Sequence, residues 1–140
     1  MRPVAFDVPV EVAFDYLVEP RNRPQWQSSL RRVEQVTGEV GAGQRWVDVT
    51  APGLRPAMET TLAARPTTWT ERGVWRQVEA ELTLRFRPVG RGCEVDPELR
   101  VVGRGPARPL GPLLTRAAAL AVPADLRRAA RILSERSTDH

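Results

Sequence analysis

Lysine is missing from this chain of 140 residues: all 21 basic side chains are arginine. Histidine occurs once, as the final residue His140, and cysteine once, as Cys93. These shortages exclude whole classes of chemistry. Nucleophilic catalysis of the Ser-His-Asp or Cys-His kind needs an imidazole held against the nucleophile, and a chain-terminal histidine does not supply one. Zinc sites built on His and Cys lack their ligands for the same reason. No metal and no cofactor is therefore expected. A single cysteine forms no internal disulfide. Cys93, beside a glycine turn and Arg91, reads as a packing residue, because a reactive thiol needs a depressed pKa.

Long apolar runs are missing too. Nothing approaches the roughly 18 apolar residues of a membrane span. The opening MRPVAFDVPVEV lacks the apolar stretch of a secretion signal, so a cytoplasmic protein is expected. Neither GxGxxG nor GxxxxGK[ST] occurs, and the GAG at 41–43 and GRG at 90–92 and 103–105 read as turns rather than phosphate loops. What remains is the size and balance of one globular domain over residues 1–140, with 41% hydrophobic and 27% charged residues.

The net charge of +4 is unevenly placed. Residues 1–103 hold 14 arginines against 14 acids, and residues 104–140 hold 7 against 3, so the excess sits in the C-terminal segment. No arginine run exceeds two residues there and no aromatic is interleaved, which argues for a solvated face over a nucleic-acid footprint. Nucleic acid is not an expected partner. An interaction module that uses this basic helix stays open as a third reading of function.

Val10, Ala13, Phe14 and Leu17 fall at helical spacing behind Pro9, and EPRNRPQW predicts a turn and a second short helix. Short strands follow, punctuated by glycine and proline: LRRVEQV, QRWVDVT, PAMETTLAA and TTWTERGVW. The clearest is 78–87, where Val78, Ala80, Leu82, Leu84 and Phe86 alternate with Glu79, Glu81, Thr83, Arg85 and Arg87, one face dry and one wet. A turn at 88–92 and CEVDPELRVV complete a hairpin, with Pro97 marking an edge or a bulge. From about 107 to 136 the composition turns helical, with Leu110, Leu113, Leu114, Ala117 and Ala121 at one phase and Leu126, Ala129, Ala130 and Leu133 beyond Pro123. A proline there predicts a kink or a break. The plan is α+β: a curved antiparallel sheet of about six to seven strands around a long C-terminal helix, with two short helices after the first strand.

An Ala-rich, proline-interrupted helix fills a sheet's concavity incompletely, so either a cavity remains or the tryptophans fill it. Trp46, Trp69 and Trp75, with Met58, sit in the strands that border the groove, and such side chains suit an apolar pocket. Two carboxylates share that face by alternation: Glu71 lies between Trp69 and Trp75, and Asp48 follows Trp46. A carboxylate desolvated between indoles gains a raised pKa and can serve as a general acid or base. The alternative is that these acids meet water or are neutralised by Arg45, Arg72 or Arg76.

The order of elements, together with VPVEVAFDYLVEPRNRPQWQSSLRRVEQV at 8–36, GAGQRW at 41–46 and PLGPLLTRAAALAVPADLRRAARIL at 109–133, resembles the polyketide cyclase/dehydrase-like family of the START and pollen-allergen superfamily, the helix-grip fold. The resemblance covers nearly the whole chain. Its motifs are diffuse, and Glu19 stands where the family usually has Asp. The resemblance implies a cavity between the long helix and the sheet that holds an apolar or aromatic small molecule, lipid- or polyketide-like. The residues expected to line it are Trp46, Met58, Trp69, Trp75, Leu113 and Ala117. A cyclase/aromatase-type enzyme with Glu71 or Asp48 as acid or base is the alternative, so whether the chain is an enzyme stays open, as does a homodimer.

Overall fold

The structure is a computed structural model that describes residues 1–138; the chain-terminal His140 lies outside the described residues. The elements in chain order are β1 (Val4–Phe6), α1 (Val10–Val18), α2 (Arg23–Trp26), β2 (Leu30–Thr37), β3 (Arg45–Thr50), β4 (Ala57–Ala64), β5 (Thr68–Trp75), β6 (Val78–Val89), β7 (Gly92–Gly103) and α3 (Leu110–Thr138). Single 3-10 turns at Pro20–Asn22 and Gly105–Ala107 introduce α2 and α3.

All seven strands form one curved antiparallel sheet in the order β1-β7-β6-β5-β4-β3-β2. From β2 to β7 each strand pairs with its sequence neighbour, as short turns favour. The short β1 crosses to the far edge and pairs along Val4↔Val95 to Phe6↔Cys93. Pro97 therefore falls beyond the strand that covers β7, on its open edge, where a missing N–H is tolerated. Along β6, Leu82, Leu84 and Phe86 are buried and the alternate residues carry cross-strand pairs on the outer face. Arg85 Nη1 meets Glu98 Oε2 at 2.6 Å, Arg87 Nη2 meets Glu94 Oε2 at 2.5 Å, and Arg72 pairs with Glu79. Exposed pairs of this kind add little stability. A register shift between Thr60 and Leu62 in β4 turns Leu62 outward and Ala63 toward the core, as a bulge does.

The core lies between the inner face of the sheet and the helices. Val10, Ala13, Phe14 and Leu17 of α1 are all buried, and the rings of Phe14 and Phe86 meet edge to face at 5.0 Å. Helix α3 continues through Pro123 without a break. Its C-terminal half packs tightly through Leu126, Ala129 and Leu133. Its first turn also sits close to the sheet: a side chain at Gly111 would lie 3.0 Å from the Val101 carbonyl oxygen. Between these two anchored ends α3 turns Leu114, Ala118, Ala121 and Val122 toward the sheet, and there the packing opens.

The phase of the N-terminal half of α3 corrects the expectation for two residues. Leu113 is 63% exposed and Ala117 is exposed as well. Ala117 precedes the buried Leu126 by nine residues, which at about 3.6 residues per turn is two and a half turns, so it faces the opposite way. The inward stripe runs through Leu114, Ala118, Ala121, Val122 and Leu126. In a segment apolar nearly all round, composition alone did not distinguish the two faces.

Candidate functional site

The opening under α3 is a cavity of about 380 Å³ bounded by α2, by strands β3 to β7 and by α3. Met58, Trp75, Val78, Leu82, Leu99, Leu114, Val122 and Leu126 make most of its wall. Small side chains create the space. Ala118 and Ala121 hold the helix side back, and Gly73 leaves room on β5, where an added Cβ would come within 2.7 Å of Met58 Sδ. The volume lies within the roughly 300–1,000 Å³ typical of small-molecule sites.

One end of the cavity is polar. Asp48 and Glu71 reach the wall from β3 and β5, and Arg23, the first residue of α2, lies against both. Its Nε and Nη2 donate to Asp48 Oδ1 and Oδ2 at 3.2 and 2.9 Å, and its Nη1 donates to Glu71 Oε2 at 2.6 Å. All three side chains are buried, Arg23 at 2% exposure, Asp48 at 4% and Glu71 at 5%. The indole N–H of Trp46 donates to Asp48 Oδ1 at 2.9 Å, and the Arg23 guanidinium lies 5.1 Å from the centre of the same indole. Pro24 in the first turn of α2 sets the backbone for this placement.

This geometry separates the two carboxylates. Asp48 is held by three donor contacts and works as an anchor. Burial pushes the pKa of Glu71 up, opposed by Arg23 and reinforced by the negative charge of Asp48. The Arg23 guanidinium stays firmly charged: desolvation works against its charge, but Asp48 and then Glu71 outweigh it and raise its pKa. A third carboxyl, Asp125 of α3, lines the wall and accepts from the backbone N–H and the hydroxyl of Ser28 at 3.3 and 3.0 Å. Burial raises its pKa as well, against those two hydrogen bonds.

Among the expected lining residues, Met58 and Trp75 face the cavity, as do Asp48 and Glu71. Trp46 and Trp69 share the inner face but are packed at 2% and 1% exposure outside the cavity wall, because α1 and α2 cover that end of the sheet. Leu113 and Ala117 point away, as described above. The neutralising cation is Arg23 rather than Arg45, Arg72 or Arg76, which lie on other surfaces. Alternation along β3 and β5 put Asp48 and Glu71 on one face with Trp46, Trp69 and Trp75 and left open whether water or an arginine met them; nothing in the sequence ranked Arg23 among 21 arginines. Asp125 and Trp26 are further wall residues that periodicity did not single out. Among the described residues no cluster of His, Cys, Asp and Glu is arranged to hold a metal ion.

The family model for polyketide cyclase / dehydrase and lipid transport proteins matches residues 2–138. The chain belongs to this family. Among proteins of curated function, none matches it. Solved structures of similar fold include the di-domain aromatase/cyclase StfQ from the steffimycin biosynthetic pathway, at 16% identity and a TM-score of 0.79. That match covers 98% of this chain and 50% of StfQ, so the chain spans half the length of the di-domain protein. The structure of Ara h 8.0201 matches at 12% identity and a TM-score of 0.77, covering 96% and 95% of the two chains. A protein from Mesorhizobium loti matches at 14% identity and a TM-score of 0.72, covering 96% and 98%. At such identities the likeness establishes the shared helix-grip fold, the expected α+β architecture. Among the described residues of this cyclase-family chain, no helix is long and apolar enough to cross a membrane.

Proposed function

We propose that this member of the polyketide cyclase and lipid transport family binds an apolar or aromatic small molecule, lipid- or polyketide-like, in the cavity beneath α3. The observation that carries the reading is a wall built mainly of aliphatic and aromatic carbon with its charged groups gathered at one end and on one helix turn. Apolar burial, at about 25 cal/mol per Å², supplies the affinity, and the polar end orients the ligand. Native mass spectrometry of the gently purified protein, with an organic extract of the same sample, tests it. A stoichiometric apolar adduct is expected, and a protein that stays ligand-free after exposure to lipid and polyketide mixtures overturns the reading.

A second reading is a cyclase/aromatase-type enzyme, favoured by the raised pKa of Glu71 at the cavity wall and by the likeness to StfQ. In that case the cavity holds a reactive chain in position, Glu71 exchanges the proton, and Asp48 keeps Arg23 in place. Replacing Glu71 by Gln should then lower turnover on the order of 100-fold or more, and full retained turnover excludes Glu71 from the chemistry.

A further inference from the structure

The charged groups on the cavity wall are all of one sign. Asp48, Glu71 and Asp125 line it, while among the described residues none of the chain's 21 arginines does. This runs against the charge of the molecule, which is +4. Arg23 lies behind the wall with its guanidinium directed at both carboxylates of the polar end, so it is not free to receive an anionic ligand. A ligand carboxylate placed in this cavity would meet like charge at the polar end and again at Asp125, beside an apolar wall that weakens screening relative to bulk water.

The wall also holds one donor in need of an acceptor. Trp26 is 2% exposed and lines the cavity, and its indole N–H has no hydrogen-bond partner. A buried N–H left unpaired is costly, and a ligand atom that accepts from it recovers that cost. Beside the amide of Gln27 and the hydroxyls of Ser29 and Thr50, which donate and accept, the cavity thus presents carboxylate acceptors and an indole donor. A hydroxyl serves both, since its O–H donates to a carboxylate oxygen and its lone pairs accept from an N–H. A carboxylate or a ketone only accepts, and an ammonium only donates.

Resting on the cavity-binding reading above, we propose that the site is selective for uncharged ligands that carry a hydroxyl or phenol, and that it rejects carboxylates of the same skeleton. Upward pressure on the pKa of both Glu71 and Asp125 agrees with this, because the site already resists holding its own negative charges.

The test uses the full chain and matched probes on two skeletons: dodecanol, dodecanoate and dodecylamine, and 2-naphthol, 2-naphthoate and 2-naphthylmethylamine. Binding is read at pH 7 from tryptophan fluorescence, since Trp26 and Trp75 line the cavity. The hydroxyl probe is expected to bind at least tenfold more tightly than the carboxylate and the amine on each skeleton. Simple desolvation also disfavours ions, so the variants carry the decision. Asp125→Asn, and separately Glu71→Gln, should raise carboxylate affinity several-fold and so narrow the gap between the carboxylate and the hydroxyl probe on each skeleton. Trp26→Phe should weaken the hydroxyl probe several-fold. Carboxylate binding equal to or tighter than hydroxyl binding, amine binding tighter than hydroxyl binding, or a carboxylate affinity unmoved by both acidic replacements overturns the selectivity while leaving the cavity reading intact. Failure of all six probes to bind overturns the cavity reading and the selectivity with it.

Discussion

Arg23 Nη1 and Glu71 Oε2 meet at 2.6 Å although 48 positions separate them in the chain, and both side chains are buried. The contact ties the short helix α2 to the middle of β5 and closes one end of the cavity. It also explains how two carboxylates coexist on the inner face of the sheet. Asp48 and Glu71 share one guanidinium, and neither is left with an unpaired buried charge.

Removing Arg23 should therefore be severe. Arg23→Met leaves two buried carboxylates without a countercharge, a change that typically costs about 3–5 kcal/mol. The loss should be largest at neutral pH and shrink on acidification, because protonation removes the uncompensated charge. Urea unfolding of the variant and the parent at pH 7 and pH 5 checks both the size and the direction.

Glu71 gives a second pH signature. Its folded-state pKa is raised, so the folded protein binds its proton more tightly than the unfolded chain does. The resulting contribution is fully present at low pH and is lost as pH rises through the folded pKa. Glu71→Gln should remove this component, so the difference in unfolding free energy between parent and variant should shift in the variant's favour as pH rises from the ordinary carboxylate range toward neutrality. A difference independent of pH over that range would contradict the raised pKa.

The phase of α3 predicts opposite outcomes for neighbouring substitutions. Ala118→Trp places an indole in the cavity and should abolish ligand binding while near-ultraviolet circular dichroism stays native. Ala117→Trp, on the solvent side, should leave affinity within about twofold, as surface changes remote from a site usually do. Titration of both variants with the ligand recovered from the native protein separates the two faces.

Cys93 is buried on β7 with its thiol pKa pushed up to about 11 by burial and by the nearby charge of Glu11. It should resist a thiol-reactive dye at pH 8 in the folded protein and react stoichiometrically once the chain is unfolded in urea. Rapid labelling of the native state would contradict its packing role.

Much of the architecture was legible in the chain itself. Alternation along residues 78–87 gave the dry and wet faces of β6, and spacing behind Pro9 gave α1. The same alternation placed Glu71 and Asp48 on the inner face, because a strand's side-chain period is two and leaves only two choices. Tertiary packing decided the rest. Which face of the mostly apolar N-terminal half of α3 turns inward depended on where Leu126, Ala129 and Leu133 packed, and that reversed the expectation for Leu113 and Ala117. Trp46 and Trp69 became packed core because α1 and α2 cover one end of the sheet, while Trp75 at the uncovered end reached the cavity. Arg23 acquired its role only when α2, packed against β2 and α3, brought its guanidinium to Asp48 on β3 and Glu71 on β5, since a countercharge is chosen by distance in space. Local periodicity thus determined the elements and the faces of the strands and of α1. The cavity, its polar end and its pairing of charges arose from contacts between residues far apart in the chain, which no local pattern encodes.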